Sequence, residues 1–442
     1  MATENRLFRV ITFGCKVNQC DTAGLTQVLI ANGWQEAPRG AAPDLVLVNT
    51  CTVTARADQQ ARQTIRRLAR EHPGLPIWVT GCYAQRAPGE LAALSGVQAV
   101  LGNREKVRLA DFLTELAVER PWVQVASYAP EEIFRPWPVP FSTGHTRARL
   151  QIQDGCAHAC TYCIVPRVRG PARSLPSGEA AAALEELAAG GYQEVVLTGV
   201  NLGQYGQDLA PRSSLAALLA AVRSRPRPSR LRLSSLEPQE VTPGLLEELA
   251  ACPGFCPHFH LPLQSGAAPV LAAMGRAYSP QDFRDLVREI HRHFPEAGLG
   301  LDILVGFPGE TPADFAATLS LVESLPVTYL HVFPFSPRPG TPGAHLARVP
   351  PGEVQTRGKI MRELGQAKKK EFLEAQVGNT GEVLAEGPGP QAGWLQGLSA
   401  NYLRVLLPGP PDWKNHILTV RFREVQGEAL VGEVLGPFQE DS

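Results

Sequence analysis

Apolar and polar positions divide the chain into three regions of different period. From Arg6 to about Arg135, short apolar runs ("LFRVITF", "DLVLVNT", "PIWVTG" and "VQAVLG") alternate with helical stretches, among them "TARADQQARQTIRRLAREH". Strands and helices in alternation predict an open α/β domain with a parallel sheet. The Pro-rich stretch "RPWPVP" then reads as a linker. From about Thr146 to Pro339 six strand-like runs follow: "RARLQIQ", "EVVLTG", "RLRLSSL", "HFHLPL", "LGLDILVGF" and "YLHVFPF". Helical patterns such as "SGEAAAALEELAAGG" and "SPQDFRDLVREIHRHF" separate most of them. Six βα units predict an incomplete (β/α)6 barrel, with a doubly wound sheet as the alternative. A charged helix, "RGKIMRELGQAKKKEFLEAQVG", leads to short alternating strands split by Gly and Pro. These predict a small five-stranded, OB-like β-barrel. The expected domains span residues 1–135, 142–372 and 376–438.

Composition adds limits rather than a function. The 442 residues suffice for two or three cores. At 44% hydrophobic and 19% charged, the chain reads as globular and soluble. The first residues lack a signal-peptide pattern, and no run reaches the roughly 18 to 20 apolar residues of a membrane span, so a cytoplasmic, non-membrane protein is expected. Formal net charge is −1, so a nucleic-acid partner must be sought in local patches.

The nine cysteines change the picture. An odd number in a reducing compartment favours metal ligation over disulfides. Cys156, Cys160 and Cys163, in "GCAHACTYC", bring three thiolates onto one loop behind a strand. A structural zinc ion would ask for a fourth ligand, and none is spaced to complete it locally. A 4Fe–4S cluster can be held by three, leaving one iron open. Cys15, Cys51 and Cys82 each end an apolar strand, and strand ends in a parallel sheet share one edge, so these three can converge too. Buried core thiols are the plainer reading of that set. Cys20 reads as an ordinary buried thiol, and Cys252 and Cys256, in "ACPGFCPHFH", as loop packing.

The CxxxCxxC motif behind the first strand of a (β/α) barrel resembles the radical S-adenosylmethionine (SAM) superfamily. That resemblance implies a cluster on Cys156, Cys160 and Cys163 that binds SAM and cleaves it to a 5′-deoxyadenosyl radical. It places Tyr162 near the adenine. Gly199 and Glu237 are further SAM contacts to expect, although each could equally serve a turn or a cap. "TFGCKVNQ", "LVNTCTVTARAD" and "TGCYAQR", with "HFHLPLQSG", "DILVGFPGET" and "HVFPFSPRPGTP", resemble the methylthiotransferases within that superfamily. In that family Cys15, Cys51 and Cys82 would hold a second, auxiliary 4Fe–4S cluster carrying the sulfur to be inserted.

"GCKVNQ" with "NTCTVT" and "LTGV" is most similar to the members that thiomethylate N6-threonylcarbamoyladenosine beside the tRNA anticodon. Isopentenyladenosine in tRNA, or an aspartate of a ribosomal protein, are the alternative substrates. A non-catalytic Fe–S or RNA-binding protein is the alternative of another class. The resemblance also implies a TRAM-type C-terminal barrel that grips the tRNA anticodon loop, and a reductant such as flavodoxin or ferredoxin. Yet residues 381–442 hold four basic side chains (Arg404, Lys414, Arg421 and Arg423) against eight acidic ones. Phosphate contacts are therefore also expected from Arg56, Arg62, Arg66, Arg67 and Arg70, from Arg167, Arg169 and Arg173, and from Lys368 to Lys370.

Overall fold

The computed structural model describes residues 6–113, 121–129, 132–137 and 146–437. The first sheet has six parallel strands in the order β2-β1-β3-β4-β5-β6. They are β1 (Arg6–Thr12), β2 (Trp34–Glu36), β3 (Leu45–Thr50), β4 (Ile77–Gly81), β5 (Val97–Leu101) and β6 (Trp122–Gln124). The four apolar runs are its centre, and β2 and β6 are short edge strands that the hydrophobic pattern does not announce. Every residue of β3 is buried, as expected of a parallel strand covered on both faces. Val46 and Val48 meet Ile65 and Leu68 of helix Ala55–Glu71 on one face. Leu45 and Leu47 meet Leu25 and Leu29 of helix Lys16–Ala31 on the other.

Strand β7 (Arg147–Gln151) leads into a two-residue antiparallel pair, β8 (Gln153–Asp154) with β9 (Arg173–Ser174). That pair closes the base of the loop carrying the CxxxCxxC motif. Strands β10 (Glu194–Thr198), β11 (Arg230–Leu233), β12 (His258–Gln264), β13 (Gly298–Val305) and β14 (Tyr329–Pro334) complete the six expected between Thr146 and Pro339. They form two three-stranded sheets, β11-β10-β7 and β12-β13-β14. A Leu231–Phe255 bridge, with the Leu231 N–H on Gly254 O at 2.9 Å and the Cys256 N–H on Leu231 O at 2.8 Å, links β11 to the segment entering β12 without a continuous ladder. The result is an open arc rather than a closed barrel.

The charged helix runs from Pro351 to Gln376. Beyond it β15 (Thr380–Pro388), β16 (Trp394–Ser399), β17 (Arg404–Pro408), β18 (Ile417–Gln426) and β19 (Ala429–Pro437) close a five-stranded barrel. Its core comprises Val383, Leu395, Val405, Leu418, Val420, Phe422 and Leu430. Among the described residues no helix is long and apolar enough to cross a membrane.

Compact units do not follow chain order. One comprises residues 1–140, 151–175 and 336–345, and the other 141–150, 176–335 and 346–442. The triplet loop therefore belongs to the same unit as the first sheet. Trp137, inside the stretch expected to be a linker, is docked rather than free. Its Nε1–H donates to Asp21 Oδ1 at 3.1 Å, and its ring fills the space above Gly24, where a Cβ would lie 2.2 Å from it. Residues 138–140 of that stretch lie outside the described residues, as do the first residues of the expected 142–372 domain and the last of 376–438.

Candidate functional site

Cys15, Cys51 and Cys82 follow the carboxyl ends of β1, β3 and β4, three neighbouring strands. Two glycines make the approach possible. Gly14 has φ +109°, and a Cβ there would sit 2.8 Å from Cys51 Cβ. Gly81 has φ +94°, and its Cβ would sit 2.3 Å from Thr50 O. Cys15 is exposed, whereas Cys51 and Cys82 are buried. Burial pushes the Cys51 thiol up to about 12, and the neighbouring Cys82 and Cys15 thiols add to the shift. Three soft donors at one mouth, two of them dry, form a donor set that suits an Fe–S cluster. Bound iron would supply the positive charge that holds such thiols as thiolates.

The motifs around these cysteines hold the mouth together. Asn18, three residues past Cys15, donates through Nδ2 to Phe13 O at 2.7 Å and Thr50 O at 3.0 Å. Asn49 Nδ2 returns a bond to Asn18 O at 2.8 Å. Behind Cys51, Thr52 Oγ1 donates to Asp58 Oδ1 at 2.6 Å. Arg86 and Arg338 both converge on that pair. Thr54 Oγ1 accepts the Ala57 N–H and so starts helix Ala55–Glu71. "NTCTVTARAD" thus encodes a strand end, an N-cap and, in Asp58, the acidic half of a buried ion pair in ten residues.

The triplet lies on an irregular loop between β8 and helix Val165–Arg169, with its three cysteines half-buried. Gly155, at φ +73°, begins it where a Cβ would strike Pro171 O at 1.9 Å. Cys156 N–H reaches Gly170 O at 3.2 Å, and Cys163 N–H reaches Cys160 O at 3.0 Å. The His158 N–H points at Cys156 Sγ from 3.4 Å, the kind of donor that stabilises a ligating thiolate. Tyr162 is half-buried in the turn between the last two cysteines.

The two cysteine sets are neighbours within this unit. Ile164 and Val168, directly behind the triplet, form a small apolar cluster with Cys82. Asn103 donates to Val168 O at 2.8 Å and lies 3.8 Å from Cys82 Sγ. Arg169 is 2% exposed and spans the junction, with bonds to Asn18 Oδ1 (2.6 Å), Asp21 Oδ2 (2.7 Å) and Asp154 Oδ1 (3.0 Å). Lys106 completes the group on Asp21. Burial alone would raise the Asp21 carboxyl, but Lys106 and Arg169 outweigh it and hold it at about 2.

This corrects part of the phosphate-contact set. Arg169 is a buried strut, and Arg173 is buried against Asp154 at 3.0 Å with its guanidinium over the Tyr128 ring. A cation committed to interior carboxylates cannot also meet a backbone phosphate. Arg167, Arg56, Arg66, Arg67 and Arg70 remain exposed, while Arg62 bonds the Tyr83 hydroxyl at 2.6 Å. Lys369 pairs with Glu428, Lys370 with Glu374, and Lys368 bonds the carbonyls of Glu323 and Leu325.

In the second unit, Gly199 follows β10 and its N–H reaches Ser234 Oγ at 3.3 Å. Glu237 lies beyond β11, and its carboxylate is gripped by the buried Arg276. Arg276 is a residue that sequence reasoning missed, because its partner lies 39 positions away. Cys20, Cys252 and Cys256 are all buried. Cys256 Sγ accepts from Arg230 Nε at 3.2 Å, within a group in which Arg230 and Arg232 both pair with Glu194.

Comparison with known proteins agrees with these features. Residues 7–102 match the uncharacterized protein family UPF0004, and residues 150–322 match the Radical SAM superfamily. The chain is 33% identical over 416 residues to the threonylcarbamoyladenosine tRNA methylthiotransferase MtaB of Bacillus subtilis, covering 93% of this chain and 92% of that one. MtaB of Thermotoga maritima is 36% identical, over 96% of both chains. A tRNA-2-methylthio-N(6)-dimethylallyladenosine synthase of Thermus thermophilus is 34% identical, over 97% of this chain and 91% of its own. Among solved structures, the radical SAM methyltransferase TsrM of Kitasatospora setae shares the fold, with a TM-score of 0.55 at 19% identity over 77% of each chain. Radical SAM membership implies a 4Fe–4S cluster and SAM. With relatives of this identity along nearly its full length, the chain belongs to the radical SAM methylthiotransferases.

Proposed function

We propose that this enzyme converts N6-threonylcarbamoyladenosine beside the tRNA anticodon to its 2-methylthio derivative, working in the cytoplasm with a reductant of the flavodoxin or ferredoxin type. The observation that carries the reading is the joining of two three-cysteine sets in one unit through Asn103, Val168 and Arg169. Cys156, Cys160 and Cys163 would hold the SAM-binding cluster, and Cys15, Cys51 and Cys82 an auxiliary one. Bound there, the two clusters would supply reductive cleavage of SAM and the sulfur to be transferred. Adenine C2–H is inert toward polar chemistry, so the protein's part is positioning and exclusion of water.

The chain's own residues divide that work. Asn18 and Asn103 set the first cysteines, and Gly14 and Gly81 let the backbone come close. Tyr162, Gly199 and Glu237 are assigned to SAM, with Arg276 as the positioning partner of Glu237. Residues 1–135 would act as the auxiliary-cluster domain, 142–372 as the radical SAM domain and 376–438 as a TRAM-type RNA-binding barrel. The "GCKVNQ" motif and the MtaB relatives support the threonylcarbamoyl substrate. The dimethylallyladenosine relative supports a second reading, with the isopentenyl base as substrate.

Two measurements test this. Deleting the gene and digesting total tRNA should abolish the methylthio form of threonylcarbamoyladenosine in the nucleoside mass spectrum. Its persistence, with loss of the isopentenyl derivative instead, selects the second substrate. Anaerobic reconstitution should give about eight irons per chain, falling to about four when Cys156, Cys160 and Cys163 are all changed to Ala. Iron content unchanged by those substitutions removes the two-cluster assignment.

A further inference from the structure

The β12-β13-β14 sheet carries a third group of metal-type ligands, which the proposed reaction does not use. His260, Asp302 and His331 come one from each strand. Asp302 and His331 are register partners, and His260 pairs with Gly300, two residues before Asp302. All three therefore lie on one face of the sheet. Phe259, on the opposite face of β12, packs instead on Phe255 and Phe294. One nitrogen or oxygen from each of the three falls within 4.8 Å of the other two.

Two details argue for a ligand rather than a plain ion pair. His260 is 92% buried (8% exposed), and its Nε2 lies 3.0 Å from Asp302 Oδ1. Yet neither of these buried atoms has a hydrogen bond of acceptable geometry. The off-axis contact leaves bonding capacity on both atoms unused, and a cation between them would take it up. On its other side, His260 Nδ1 lies 2.6 Å from Ser235 Oγ. With Nδ1 donating there, Nε2 presents its lone pair toward Asp302, which is the tautomer that a metal needs. His331 Nδ1 is 3.4 Å from the same carboxylate oxygen. Metal bonds of about 2.0 to 2.1 Å in a tetrahedral site space their ligand atoms by roughly 3.3 Å, close to both distances.

We propose that His260 Nε2, Asp302 Oδ1 and His331 Nδ1 bind one divalent transition-metal ion. Two imidazoles and a carboxylate without sulfur suit zinc, and equally ferrous iron in a facial arrangement. Three protein ligands leave a coordination position open. The His331 side chain is 53% exposed and lines a cavity of about 580 Å³ with Tyr329, Tyr402, Arg362 and Arg404. Water or an anionic oxygen ligand entering that cavity would complete the shell.

The test uses the reconstituted, cluster-loaded protein. After anaerobic incubation with zinc sulfate and gel filtration, metals and acid-labile sulfide are measured per chain. The wild-type protein should retain about one zinc, or one iron in excess of sulfide, while the His331→Ala and Asp302→Asn variants retain neither. His331→Ala alters a half-exposed side chain and carries the test if Asp302→Asn does not fold. X-ray absorption at the zinc edge should show only nitrogen and oxygen neighbours. Equal retention in all variants, no retention in the wild type, or sulfur in the zinc shell would overturn the proposal.

Discussion

Arg169 Nη2 donates to Asn18 Oδ1 at 2.6 Å, tying the helix behind the CxxxCxxC loop to the turn behind Cys15. The same guanidinium holds Asp21 and Asp154, so removing it leaves Asp21 to Lys106 and Asp154 to Arg173 and unties the junction between them. Arg169→Gln should destabilise the protein by about 1.5 to 3 kcal/mol in denaturant unfolding, the worth of a buried charged hydrogen bond. A loss below about 1 kcal/mol would mean that the network is not holding the junction.

Gly81 stands between β4 and Cys82 with a positive φ and no room for a side chain. Gly81→Ala should displace Cys82 from the mouth it shares with Cys15 and Cys51. Reconstituted iron is then expected to fall by about four per chain, with SAM binding at the triplet retained. A full iron complement in this variant contradicts the assignment of Cys82.

The arginines left exposed on helix Ala55–Glu71 are Arg56, Arg66, Arg67 and Arg70. Changing them together to Glu should weaken tRNA binding. The log–log slope of affinity against salt should flatten by roughly 0.7 to 0.9 for each phosphate that is no longer neutralised. An unaltered slope in a filter-binding titration would make this face merely solvated.

Burial pushes the Glu194 carboxyl up, but Arg232 and Arg230 outweigh it and hold it at about 2, against an ordinary value of 4.5. A depressed folded value means that this contribution is fully present above about pH 4.5 and is lost as pH falls toward 2. Protection of β10 and β11 from hydrogen exchange should therefore decline between about pH 4.5 and 2. Glu194→Gln leaves two buried arginines unpaired, so its protection should be low already at pH 7 and change little on acidification. A wild-type-like pH profile in the variant would refute this.

Much of the architecture was legible because burial imposes a period on the chain. The apolar runs that became β1, β3, β4 and β5 had to be covered on both faces, which only a helix-flanked parallel sheet allows. The two cysteine sets stood out for a chemical reason, since few residues other than cysteine suit iron–sulfur clusters. The edge strands β2 and β6 were not legible, because three residues are too short to show alternation. Arg169 and Arg173 look in sequence like any surface-basic pair after a loop. Their burial follows from Asp21 and Asp154, and no local pattern reveals a partner 148 positions away.

By itself, then, the sequence determined the element types, the two cysteine sets and the family. Tertiary structure decided which residues share a space. It put the triplet loop in the unit of the first sheet, turned Trp137 from linker into packing, and brought His260, Asp302 and His331 onto one face. Local propensity acts over a few residues, whereas these juxtapositions depend on how strands pair across tens of positions. Such long-range pairing leaves no period to read along the chain.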